Sequence, residues 1–100
     1  MSHKEQQRLS LITTSYGSLE AEVVDEIVFI HLEIREWTPS KYKKMKYYWQ
    51  VVLLSLKNKG IDDIYTVIPD GDDKLYKFQT MFGFKEYSRQ GGTILFNRST

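Results

Sequence analysis

From Leu9 to Ile34 apolar and polar residues recur with the period of two that marks β-strands. Leu9, Leu11 and Thr13 alternate with Ser10, Ile12 and Thr14, which predicts a strand with apolar positions on both faces. Tyr16-Gly17-Ser18 predicts a turn in which glycine supplies a positive φ. Leu19-Glu20-Ala21-Glu22-Val23 alternates cleanly, as a strand with one wet face does, and Asp25-Glu26 offers a second turn. Over Ile27 to Arg35, Val28, Ile30, Leu32 and Ile34 share one face, with Phe29, His31 and Glu33 on the other. Apolar groups on both faces at its start predict a central strand. A three-stranded meander is expected here.

The period then changes. Thr38-Pro39 predicts a helix start, because threonine caps free N–H groups and proline suits the first helical position. Tyr42, Met45, Trp49, Val52, Leu53 and Leu56 recur at spacings that build one broad apolar stripe. Gly60 is the expected stop. Ile61 to Ile68 reads as a buried strand, and strand, long helix, strand predicts a parallel unit of right-handed connection. Pro69-Asp70-Gly71-Asp72 predicts a loop, and Asp72 or Asp73 caps a short helix ending near Phe82. Lys85–Ser88 and Thr93–Asn97, joined around Gln90-Gly91-Gly92, predict a closing hairpin. The expected fold class is α+β, in the order βββ-α-β-α-ββ.

The polar stretch Met1–Arg8 is expected to be a flexible arm without the apolar core of a secretory signal, leaving residues 9–100 as one domain. One hundred residues, 41% apolar and 27% charged, describe an ordinary globular domain. No apolar run approaches the roughly 18 residues that span a bilayer. The absence of cysteine excludes disulfides and thiolate chemistry, and fits a reducing cytoplasm. A net charge of +1 gives no global pull toward nucleic acid or membrane.

One run carries a family signal: Lys74-Leu75-Tyr76-Lys77-Phe78-Gln79-Thr80-Met81-Phe82-Gly83-Phe84-Lys85-Glu86, a helix ending at a glycine and turning at once into a strand. With the element order and the helix-Gly-strand passage Lys59-Gly60-Ile61, residues 9–97 resemble the GNAT superfamily of N-acetyltransferases from its second strand onward. The resemblance implies a GNAT-like mixed sheet. It also implies that the family's first strand and first two helices have no counterpart, since eight residues precede Leu9.

In that family a loop of the form Arg/Gln-x-x-Gly-x-Gly/Ala cradles the CoA pyrophosphate on backbone amides and a helix N-terminus. Trp37 to Tyr47 is the matching stretch. Lys43 or Lys44 stands for the basic residue, while the glycine positions fall on Met45 and Tyr47, whose bulk crowds a phosphate. Pro39 lacks an N–H and starts the helix early. Any residual cofactor contact is assigned to Lys43, Lys44 and Lys46. Trp37 or Tyr42 is expected to fill the cleft that CoA occupies in active relatives. The family's acid tyrosine, four residues before Gly-Phe, is replaced by Gln79, which has no proton to give in that role. Tyr76 lies one turn earlier, and Glu33, beside His31, is the one strand-borne candidate for a base. No catalytic residue is assigned, and no cofactor is expected; acetyl-CoA is the alternative.

His3 and His31 cannot make a histidine-rich metal site, and Asp62, Asp63, Asp70, Asp72 and Asp73 lack the spacing of a calcium loop, so no metal is expected. No elbow motif supports a Ser-His-Asp nucleophile. The Lys41–Lys46 cluster with Tyr42, Tyr47 and Tyr48 could clamp a nucleic-acid backbone and stack bases, a reading weakened by the small net charge. Small GNAT-like proteins of tailed bacteriophages, internal virion proteins among them, are similar in having a Lys- and aromatic-rich helix in place of the glycine loop. That resemblance implies a non-enzymatic, virion-associated or host-directed protein that binds a phage or host protein. The expected contact surface is Trp37, Lys41, Lys43, Lys44, Lys46 and Tyr47, with an exposed sheet edge that could also make a homodimer. An N-acetyltransferase with a divergent cofactor loop is the first alternative and a nucleic-acid binder the second.

Overall fold

The structure, a computed structural model, describes residues 7–100. Six strands, β1 (Gln7–Thr14), β2 (Gly17–Val24), β3 (Ile27–Ile34), β4 (Asp63–Pro69), β5 (Lys85–Gln90) and β6 (Thr93–Ser99), form one mixed sheet in the order β1-β2-β3-β4-β6-β5. Helix α1 (Pro39–Asn58) joins β3 to β4, and α2 (Asp73–Met81) joins β4 to β5. The α+β order expected from the periodicity is the order observed.

Residues 1–6 of the expected arm lie outside the described residues. Gln7 and Arg8, assigned to that arm, instead begin β1 opposite Val23 and Glu22. The full length of β2 offers them partners, and Arg8 makes an ion pair with Glu20 at 3.0 Å. A bulge at Leu11 accounts for the apolar residues on both nominal faces of this strand. Register jumps between Ser10↔Glu20 and Ile12↔Leu19, so Leu11 and Ile12 both reach the core side.

The β1–β2 turn is Ser15-Tyr16, with Gly17 already in β2 opposite Thr14 and Ile34. Gly17 is therefore not the turn residue expected. A Cβ there would sit 2.7 Å from the Glu33 carbonyl oxygen, so close backbone approach, not turn geometry, demands glycine. The Tyr16 carbonyl accepts from the backbone N–H groups of Arg35 (2.9 Å) and Glu36 (3.1 Å), which ties this turn to the segment leaving β3.

Both helices begin at the expected caps. Thr38 Oγ1 accepts from the Lys41 N–H at 3.2 Å, and Asp72, not Asp73, accepts from Leu75 at 3.1 Å. Gly60 ends α1 with φ 83°. Met45, Trp49, Leu53 and Leu56 of α1 and Phe82 after α2 pack with Leu19, Ala21, Val28, Ile30, Ile64, Ile68, Ile94 and Phe96 in one core. These strand residues share one sheet face, so the helix layer covers that side. The other face carries no helix among the described residues; there Tyr65 meets Phe29 and Tyr87 at ring distances of 6.2 Å. No described helix is long and apolar enough to cross a membrane.

Candidate functional site

Strands β3 and β4 run parallel but share a single register pair, Phe29↔Tyr65, near their starts. No further pair joins them, and aromatic rings link the segment after β3 to both helices. Trp37, just after β3, packs edge-on against Phe78 of α2 at 4.4 Å and against Tyr42 of α1 at 5.2 Å. Tyr42 continues to Phe82 at 6.2 Å, and Phe82 to Trp49 at 5.9 Å. Contacts of this kind contribute ~1 kcal/mol each beyond the area they bury. Behind them the interstice among Leu32, Trp49, Gln79, Phe82 and Phe84 has no room for water.

The Phe82 carbonyl anchors this wedge. It accepts from Trp49 Nε1 at 3.0 Å and from the Arg98 guanidinium. Arg98 also lies 5.9 Å from the Trp49 ring, and burial lowers its pKa. It drew no attention in the sequence, although Ile94, Phe96 and Arg98 at i, i+2 and i+4 place it on the core face. A side chain at Gly83 (φ 89°) would strike this guanidinium, which explains the glycine of the helix-Gly-Phe passage.

The helix start differs from the expected loop. Because α1 begins at Pro39, Lys43 to Tyr47 lie inside the helix. Met45 is fully buried in the core, and Tyr47 is 67% exposed, 5.8 Å from the Tyr48 ring. Their bulk therefore points away from the first turn. The donor set of the first turn is reduced: Pro39 has no N–H, and the Lys41 N–H donates to Thr38 Oγ1.

The six residues expected as a contact surface have different surroundings. Trp37 is in the wedge. Lys41 pairs with Glu36 at 2.6 Å and lies 5.5 Å from the Tyr16 ring; Lys46 lies 5.6 Å from the Tyr42 ring. Lys43, Lys44 and Tyr47 are exposed, and neither lysine has an ion pair among the described residues.

The candidate chemical groups are likewise dispersed. Gln79, 2% exposed, faces the closed interstice. Glu33 pairs with Arg35 at 3.0 Å, and His31 pairs with Glu22 at 2.8 Å, not with Glu33. The Tyr76 hydroxyl donates to Glu86 at 3.1 Å, and that hydrogen bond raises its pKa. Arg89 donates to Glu86 at 2.8 Å and to Asp70 at 3.0 Å, holding the Glu86 carboxyl below its ordinary range. Tyr76 thus serves an exposed polar cluster outside the wedge. Among the described residues no group of three His, Cys, Asp or Glu side chains could hold a metal.

Two hollows exist elsewhere. One of about 430 Å³ lies at the start of β5, lined by Asp63, Lys85, Glu86, Tyr87, Asn97 and Arg98 among others, with mixed charge. The other, about 350 Å³ and mostly apolar, runs between β1 and the outer side of α1.

No family model matches this chain, and neither does any curated protein. Its fold is similar to a crystal structure described as that of a "putative acetyltransferase from Agrobacterium tumefaciens", with a TM-score of 0.56 and 13% identity, over 97% of this chain and 77% of that one. At that identity the likeness speaks to architecture alone: the chain has an acetyltransferase-like, GNAT-like fold.

Proposed function

We propose that this chain is a non-enzymatic protein-interaction domain on a GNAT-like scaffold, a phage virion-associated or host-directed accessory protein. The aromatic wedge carries the reading: Trp37, just after β3, packs with Phe78 and Tyr42, and Tyr42 with Phe82, in the region where the reading puts the open slot that an elongated cofactor needs. The depleted donor set at the start of α1 supports it, as does a buried amide, Gln79, in the acid's position. The phage assignment rests on the Lys- and aromatic-rich α1.

A second reading, an N-acetyltransferase with a divergent cofactor loop, has in its favour the exposed, unpaired Lys43 and Lys44. Melting with and without saturating acetyl-CoA separates the two. A ligand at 100 times its Kd stabilises a fold by about 2.7 kcal/mol. For a domain this size that amounts to roughly 10 °C or more. We expect no shift and no acetyl transfer to amine acceptors; a shift of that order with turnover would establish the enzyme. Affinity for DNA or RNA that falls steeply with salt would instead favour nucleic-acid binding through Lys43 and Lys44.

A further inference from the structure

We infer that the hollow at the start of β5 binds a small ligand with one ammonium and two carboxylates, a free acidic α-amino acid. It lies outside the wedge and stands or falls apart from the interaction reading. The hollow is a notch left by strands of unequal reach. β5 begins with Lys85 opposite Asn97, while β6 runs on through Arg98 and Ser99, paired there with Ile64 and Asp63 of β4 alone. Its volume of about 430 Å³ falls within the roughly 300–1,000 Å³ typical of small-molecule sites.

Arg98, on the lining, is a half-buried cation held in place by the fold. Its Nε donates to the Ser99 carbonyl at 3.2 Å and its Nη1 to the Phe82 carbonyl, with the Trp49 ring 5.9 Å away. Both acceptors are neutral. Among the described residues no carboxylate pairs with Arg98, and its Nη2 has no hydrogen-bond partner. The carbonyl end of α2 offsets part of the charge but supplies no anion. Burial without an opposite charge is what lowers the Arg98 pKa. A desolvated cation is stabilised by an anion, and the fixed edge of a guanidinium suits a carboxylate.

The remaining charges on the lining set the rest of the ligand. Lys85 and Asp63 are exposed and have no ion pair among the described residues. Glu86 is already met by Arg89 at 2.8 Å. Asn97 Nδ2 donates to the Ile64 carbonyl at 3.2 Å, which leaves Oδ1 as an acceptor. The register puts Lys85 on the β5 side of Asn97 and Asp63 on the β4 side, one diagonal step along. Diagonal neighbours stand ~7–8 Å apart, a span that one small molecule bridges. Two cations and one carboxylate are thus left without partners. A ligand with two carboxylates and one ammonium meets all three, whereas a plain dicarboxylate or a neutral amino acid leaves one unmet.

An NMR titration of the isotope-labelled full chain tests this, with L-aspartate and L-glutamate as ligands. Succinate lacks the amine and L-alanine the second carboxylate, so these two serve as comparisons. We expect saturable shifts at the backbone amides of Lys85, Arg98 and Ser99 and at the Asn97 side-chain amide. An acidic amino acid should bind about 5-fold or more tightly than either comparison, the worth of one exposed ion pair. Lys85→Gln should weaken it by about 5-fold. Asp63→Asn should weaken the amino acids and leave succinate unchanged or improved. Both sites are exposed, so thermal melts should show folded variants. Absence of saturable shifts with both acidic amino acids overturns the inference. So does succinate binding as tightly as they do, with Asp63→Asn lacking effect.

Discussion

Single side chains set where each element of this fold starts and stops. Thr38, Pro39, Gly60 and Asp72 were legible as caps and stops because their physics is local: a hydroxyl or carboxylate meets an N–H two or three residues on. Gly17 and Arg98 were not, because each is set by a neighbour distant in sequence. Gly17 answers to the Glu33 carbonyl, and Gly83 to Arg98. Gly83→Ala should cost about 2–4 kcal/mol, from left-handed backbone strain plus displacement of Arg98 from the Phe82 carbonyl. In a double-mutant cycle the cost should shrink when Arg98→Ala is already present. Additive costs would contradict that coupling.

The Tyr76–Glu86–Arg89 cluster sets a pH signature at the same scale. Arg89 depresses the Glu86 pKa, so its contribution is present above the unfolded-state value and lost as pH falls through the lower folded one. The Tyr76 pKa is raised, so its contribution is present below the usual 10.0 and lost as pH rises through the folded value. Glu86→Gln should flatten the acid limb of melting temperature against pH. Tyr76→Phe should flatten the alkaline limb and weaken the acid limb only in part, because Arg89 still holds the Glu86 carboxyl down.

Periodicity served well for elements, whose burial repeats at 2.0 or 3.6 residues. It failed where an element departs from one period. The bulge at Leu11 gave apolar residues on two nominal faces, and α1 carries exposed apolar residues, Tyr47, Tyr48, Val51 and Leu54, outside its buried stripe. Turn chemistry is a further case. Asp25 and Glu26 join β2 to β3 in a two-residue turn with φ of 51° and 68°, the left-handed conformation that Gly91 and Gly92 adopt between β5 and β6. A β-carbon in that region costs ~1 kcal/mol. Glu26→Gly should therefore raise stability by about 0.5–1 kcal/mol in urea unfolding, with the slope unchanged. A loss of stability would show that the Glu26 side chain contributes more than the turn strain removes.

At the scale of the whole molecule the order βββ-α-β-α-ββ carried the fold, because short connections leave few ways to arrange it. Function was less legible, since it depends on whether space remains between β3 and β4. No local pattern reports that rings from the β3–α1 segment and from α2 meet across that interval. The expectation that bulk at Met45 and Tyr47 blocks a diphosphate gives way to a different physical cause. One side chain is in the core and the other is in solvent, and on the proposed reading the wedge and the reduced first-turn donors take over that part. The most direct measurement is an NMR titration of the isotope-labelled chain with acetyl-CoA, following the Trp37 indole N–H and the backbone amides of Ser40 and Lys41. A closed slot predicts that none of the three moves at large ligand excess. Saturable shifts concentrated at these three groups would contradict it.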